Sequence, residues 1–213
     1  MSSTTLYLVR HGEVDVEGNF YGHMDVQLSP RGRLQAEEVA RSLAGISLQA
    51  VQASDLTRAA EGARLIAERH GLKVTTNPDY REMSLGLLEG VPYGEARRRH
   101  PELADKKYSD MHAYRFPGGG ENLADVQARA WPALERFLRA NAGGTVALVA
   151  HNSVNRIILG RALGLELRDV FDFAQDFCCV NKIAYSEDED GRLTSSVLLM
   201  NWTPDALIPD GKV

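Results

Sequence analysis

"LYLVRHGEVD", residues 6–15, runs four apolar residues straight into Arg10, His11, Gly12 and Glu13. An apolar run of this length, closed by glycine, reads as a buried strand. Charged and titratable groups at its carboxyl end are costly unless chemistry there needs them. The run "TVALVA" (145–150) ends the same way, with His151 next and then the helical pattern "NSVNRIILGRALG" (152–164). Between the two runs strand and helix alternate. "SPRGRLQAEEVARSLAG" (29–45) enters a helix at Ser-Pro, carries Leu34, Val39 and Leu43 at roughly helical spacing and stops at Gly45. "AVQAS" (50–54) is a weaker strand, "SDLTRAAEGARLIAERHG" (54–71) a helix opening on capping residues, and "KVTTN" (73–77) another strand. Residues 121–141 read as a helix, and "CCVNKIAYSEDEDGRLTSSVLLMNW" as two strands joined by a turn at Asp190 and Gly191. Continuous apolar strands alternating with helices predict an α/β fold: a three-layer αβα sandwich, its sheet mostly parallel with helices on both faces.

Position then carries chemistry. Ligands of such sheets sit beyond the carboxyl ends of the strands, so His11 and His151 are expected to face one pocket. Arg58, in the first turn of the helix that follows Ser54 and Asp55, joins them where free backbone N–H groups already favour an anion. Arg10, Arg58, His11 and His151 together predict a water-poor cationic cage in an acidic chain, net charge −5. Arginine forks suit phosphate best.

With 213 residues, 44% hydrophobic and 25% charged, the chain is expected to form a single domain over 1–213. From Tyr80 to Gly120 the periodicity breaks into short pieces rich in Gly, Pro and charge, which predicts an insertion at about 80–120 lying as a lid over the strand ends. An acidic chain does not bind nucleic acid through overall charge. "MSSTTLYLVRHG" lacks a basic leader region and no apolar run spans a bilayer, so no membrane association is expected. Cys178 and Cys179, the only two cysteines, are adjacent and poorly placed to bridge each other, which points to a reducing, cytoplasmic setting. They lack a CxxC partner, and no two histidines form a helical ligand pair, so no metal is expected. His23, His70, His100 and His112 show no partner spacing. "GGGE" (118–121) is not a phosphate loop, since the chain has no GxxxxGK[ST]. "ARRRH" (96–100) reads as a solvated face, "SEDEDG" as a hairpin turn.

Five blocks in order, "LVRHGEV", "ASDLTRAAEGA", "REMSLGLLEG", "PGGGENLADVQAR" and "LVAHNSVNR", resemble the successive signatures of the histidine phosphatase superfamily, also called the phosphoglycerate mutase-like family. The resemblance runs from residue 5 to about residue 185. It implies the same three-layer fold, with His11 as the nucleophile that becomes phosphorylated. Arg10, Arg58 and His151 would hold the transferring phosphoryl group, and Glu82 would donate the proton; no cofactor is implied. A neutral imidazole attacks phosphorus and an imidazolium does not, so the other nitrogen of His11 should donate to a carbonyl, with Gly12 letting the chain turn tightly. Fixed cations would take the place of magnesium on the phosphoryl oxygens. Glu82 would serve as acid and then as base on water, given a pKa raised by burial near phosphate. Arg81 and Glu89 are nearby rivals, and Glu13 reads as support that fixes an arginine.

Cofactor-dependent mutases of the family carry Arg-His-Tyr directly after the acid, where this chain has Met83, Ser84 and Leu85, and an Asn six positions after the nucleophile, where it has Glu17. Asn19 or Asn155 could compensate, and Asn19 is taken as a phosphate-binding candidate. In "AHNS", where many members have His-Gly-Gly, Asn152 either adds an amide donor beside His151 or caps the next helix. Hydrolysis is thus expected: a metal-independent phosphomonoester hydrolase acting through phosphohistidine on a small phosphorylated metabolite. A mutase and a catalytically inert phosphate-binding module are the alternatives, and a homodimer is left open. "GNFYGHMDVQLSPRGRLQA" looks most like α-ribazole and broad-specificity phosphatases but is common across the branch, so it does not choose a substrate.

Overall fold

The two apolar runs that lead into His11 and His151 lie side by side and in register. This is seen in a computed structural model that describes residues 3–16, 18–101, 110 and 112–204; Glu17, singled out above, lies outside the described residues. In chain order the elements are β1 (Thr4–Arg10), α1 (Pro30–Leu43), β2 (Ala50–Ala53), α2 (Thr57–Arg69), β3 (Val74–Thr76), α3 (Tyr93–Arg99), α4 (Leu123–Ala140), β4 (Thr145–Ala150), α5 (Asn152–Ala162), β5 (Val180–Glu187) and β6 (Leu193–Trp202). They build one sheet in the order β3-β2-β4-β1-β5-β6. β1, β2, β3 and β4 run parallel; β5 runs antiparallel to both its neighbours, β1 and β6. Val9 pairs with Val149 and Arg10 with Ala150, so the two histidines leave the sheet at the same level.

The layers follow from alternation along β1. Leu6 and Leu8 pack with Leu134 and Leu138 of α4 and Ile157 of α5, while Tyr7 and Val9 pack with Val39 and Leu43 of α1 and Ala63 and Ile66 of α2. A fully buried leucine or isoleucine side chain contributes about 1.5–3 kcal/mol, enough to make both faces of the central strands contribute strongly to stability. One expectation is corrected: Leu34 is 60% exposed. It lies five residues before Val39, about 140° around the helix from it, and the buried stripe runs instead through Gly32, Gln35, Ala36, Val39, Ala40 and Leu43.

The start of α2 also differs from its sequence reading. Its N-cap is Leu56, without a side-chain cap. The orphan N–H of Thr57 goes to the Asp25 carboxylate at 2.8 Å, which also takes the Thr57 hydroxyl at 2.6 Å. Asp55 is held elsewhere, by Arg81. The cap thus comes from the loop after β1, and that loop is fastened to the helix bearing Arg58. The same loop joins the 80–120 region: Phe20 N–H donates to the Val91 carbonyl at 3.0 Å, the Phe20 carbonyl accepts from Gly90 N–H at 2.7 Å, and Tyr93 N–H donates to the Gly18 carbonyl at 2.8 Å. Among the described residues, no helix is long and apolar enough to cross a membrane.

Candidate active site

His11 is the first residue past β1, and its backbone is clamped on both sides. Its N–H donates to the Ala150 carbonyl and its carbonyl accepts from Cys178 N–H, both at 3.1 Å. Its Nδ1 lies 2.7 Å from the Gly12 carbonyl oxygen. A carbonyl only accepts, so Nδ1 carries the proton and Nε2 keeps its lone pair. Gly12 is required for a different reason from the tight turn expected of it. A Cβ there would sit 2.3 Å from the Gly32 carbonyl oxygen, so the loop packs backbone to backbone against α1.

Burial, then Arg58 and Arg10, push the pKa of His11 well below that of an ordinary histidine; the ring is a neutral imidazole at pH 7. The ring of His151, at the N-cap of α5, lies 5.0 Å away at 60°. His151 is wholly buried, and burial, Arg58, His11 and Arg10 lower its pKa in the same way.

Arg58, also wholly buried, donates to the carbonyls of Met24 at 3.0 Å and Gly22 at 2.7 Å. Burial draws its pKa down, with Glu82 the leading opposing charge, but a guanidinium stays protonated at any ordinary pH. Arg10 donates from Nη1 to the Gln175 carbonyl, and its Cζ stands 4.1 Å over the Phe177 ring. Among the described residues, Arg10 Nε, Arg58 Nε and both ring nitrogens of His151 are buried without a hydrogen-bond partner. Glu82 comes to the same place: its carboxylate accepts Met83 N–H at 2.8 Å and Ser153 N–H, in the first turn of α5, at 3.2 Å. Arg10, His11, Arg58, Glu82 and His151 thus converge on the strand ends.

The asparagines do not all join them. Asn19 is placed by its backbone bridge to Pro92, and among the described residues no hydrogen bond ties its side chain to the cage. Asn152 does not cap α5, since His151 occupies that position; the Asn152 side-chain Oδ1 accepts from Arg156 Nε at 2.9 Å. Asn155 is the buried one. Its amide, oriented to satisfy both neighbours, accepts from Arg10 N–H at 3.2 Å and donates to the His151 carbonyl at 3.3 Å.

Among the described residues Glu13 fixes neither site arginine: it accepts from the Ser29 hydroxyl at 3.0 Å and lies 3.7 Å from Arg31. Glu89 is no second acid, since its carboxylate accepts backbone N–H groups of Gly22, His23, Met24 and Leu85. Sequence reasoning missed Arg129, which donates to the carbonyls of Asp79, Arg81 and Glu82 while paired with Glu121. It also missed Gln175 and Phe177, in an aperiodic stretch. Among the described residues, no three His, Cys, Asp or Glu side chains gather as metal ligands would.

A family model, Histidine phosphatase superfamily (branch 1), matches residues 6–196. The chain belongs to this superfamily. It is similar to phosphoglycerate mutase-like protein 4 of Arabidopsis thaliana, at 38% identity over 161 residues covering 74% of this chain and 70% of that one. It is 29% identical to a probable phosphoglycerate mutase of Yersinia enterocolitica over 184 residues, 85% of each chain. The solved mycobacterial glucosyl-3-phosphoglycerate phosphatase superposes with a TM-score of 0.83 at 25% identity, covering 93% of this chain and 99% of that one. Phosphatases of the histidine phosphatase superfamily among the structural neighbours support a phosphatase enzyme here.

Proposed function

We propose that the chain is a metal-independent phosphomonoester hydrolase that works through a phosphohistidine on a small phosphorylated metabolite. The observation that carries this reading is the set of buried, unpartnered donors, Arg10 Nε, Arg58 Nε and the His151 ring, around an imidazole whose Nδ1 proton is fixed. Desolvated cationic and N–H groups without partners are costly, and a tetrahedral dianion beside His11 satisfies them together. In the first step His11 Nε2 bonds to phosphorus as the bond to the ester oxygen breaks, and Glu82 gives the leaving alkoxide its proton. In the second, Glu82 takes a proton from water, the water oxygen attacks phosphorus, the N–P bond breaks and inorganic phosphate leaves. The arginines spread the charge of the equatorial oxygens in both steps. They also make the histidine pair hostile to a divalent cation.

Hydrolysis is favoured over mutase chemistry because the stretch after Glu82 brings no cation for a second phosphate. Met83 is buried, and the backbone N–H groups of Ser84 and Leu85 are spent on Glu121 and Glu89. The mutase reading stays as the second one because of the relatives named for it. We read the described part of the 80–120 insertion as a lid within one domain, residues 102–109 and 111 lying outside the described residues, and the buried thiols of Cys178 and Cys179, pushed up to about 12 and about 11, as fitting a cytoplasmic setting.

The test is hydrolysis of p-nitrophenyl phosphate with and without chelator. Turnover that survives chelator, vanishes in His11→Ala and leaves an acid-labile phosphoprotein on quenching is the expected result; turnover lost to chelator overturns the metal-free reading. Formation of 2-phosphoglycerate from 3-phosphoglycerate with 2,3-bisphosphoglycerate, in preference to free phosphate, would select the mutase.

A further inference from the structure

The five residues before β5, Gln175–Cys179, arch over the end of β1. Contacts with Arg10 and His11 fasten the arch there, among them Arg10 N–H donating to the Cys179 carbonyl at 3.1 Å. The Gln175 carbonyl accepts from Arg10 Nη1. The Phe177 ring lies 4.1 Å from Arg10 Cζ and 5.7 Å from the His11 ring. Cys178 N–H donates to the His11 carbonyl at 3.1 Å.

Behind it stands a brace of buried amides. Gln175 and Asn181 exchange two hydrogen bonds, at 2.9 and 3.0 Å, and Asn181 also donates to the Leu8 carbonyl within β1. Asn201 of β6 accepts from Asp176 N–H at 2.7 Å and donates to its carboxylate at 2.8 Å. Cys178 and Asn201, at φ 57° and 52°, are the only non-glycine residues in left-handed conformation among those described, and both belong to this one unit. Such conformations persist where the surroundings over-determine them and cluster at working sites.

We propose that Phe177 is a positioning residue for Arg10. Its ring takes the face of the guanidinium and the Gln175 carbonyl takes one edge, so the plane of the fork is set before substrate arrives. Whether a guanidinium meets phosphate with paired N–H groups depends on that plane, and a fork fixed in advance loses less freedom on binding. The inference rests on the reading of Arg10 as a phosphate-holding group.

The experiment is a double-mutant cycle on p-nitrophenyl phosphate hydrolysis, with inorganic phosphate as competitive inhibitor. Phe177→Leu is expected to lower kcat/KM and weaken phosphate inhibition by about tenfold, the scale of a partly desolvated cation–π contact. Phe177→Tyr, which keeps the ring face, restores both. In an Arg10→Ala background Phe177→Leu should have no further effect, because the two residues act as one unit. A loss that persists undiminished in that background, or a Phe177→Leu enzyme with unaltered phosphate inhibition, overturns the proposal. Phe177→Met fills the space without a ring and is read the same way if Phe177→Leu loses its melting transition. His11→Ala separates the two levels: full activity there sinks the hydrolase reading itself, whereas an inactive His11→Ala beside an unaffected Phe177→Leu sinks the positioning role alone.

Discussion

Arg58 and Glu89 hold the same three-residue loop by opposite groups: Arg58 takes the carbonyls of Gly22 and Met24, and Glu89 the N–H groups of Gly22, His23 and Met24. The loop is the mould in which the buried guanidinium is set. Glu89→Ala strips these amides of a charged acceptor and is expected to destabilise the fold by about 3 kcal/mol, with a parallel fall in phosphate affinity. Glu89→Gln, which can still accept at one oxygen, should fall between. Urea denaturation beside phosphate inhibition measures both.

Acid should weaken the protein through its two site histidines. Both have native pKa values well below 6.5, so below pH 6.5 the unfolded chain binds more protons than the native one and stability rises with pH. Between pH 6.5 and the lowered native values, each histidine removes up to about 1.4 kcal/mol per pH unit of acidification. Urea midpoints at pH 7 and 5.5 should show the loss, and His11→Ala should shrink it. For the same reason the acid limb of kcat/KM is expected below pH 6.5.

Arg129 fixes the backbone that carries Glu82. Arg129→Met leaves Glu121 without its bidentate partner and three carbonyls without a donor, and is expected to cost about 3 kcal/mol in stability. It should lower kcat more than phosphate affinity, since the acid is displaced and the arginine cage is not. Steady-state kinetics with phosphate inhibition separates the two.

Two substitutions test the packing against α1. Gly12→Ala places a methyl 2.3 Å from the Gly32 carbonyl oxygen, backbone against backbone, and should cost about 3 kcal/mol or prevent folding. Leu34→Lys, on the exposed side of the same helix, should move stability by no more than about 0.5 kcal/mol. Thermal melts of both variants check the contrast.

The parallel character of the central strands and the gathering of the cage residues at their ends were legible because their signals are local. An apolar run ending in Arg-His, and another ending in His, announce a site at strand ends, and Arg58 follows from its place in a first helical turn. Glu82 needed the resemblance, since nothing in "REMSLG" alone separates it from Glu89. What stayed hidden acts across sequence. Glu89 binds amides 67 residues away at Gly22, Asp25 caps a helix from the preceding loop, and Arg129 grips carbonyls. A carboxylate that serves backbone N–H groups looks, in sequence, like any carboxylate free to do chemistry. Leu34 was misplaced because five-residue spacing resembles helical spacing until the angle is worked out.

The register of β1 against β4 has one more consequence. Because Arg10 stands opposite Ala150, adding or removing a single residue in either strand would rotate one histidine to the other face of the sheet. The two central strands must keep their length to the residue. Insertions and deletions that leave the two histidines facing each other must therefore fall outside these strands.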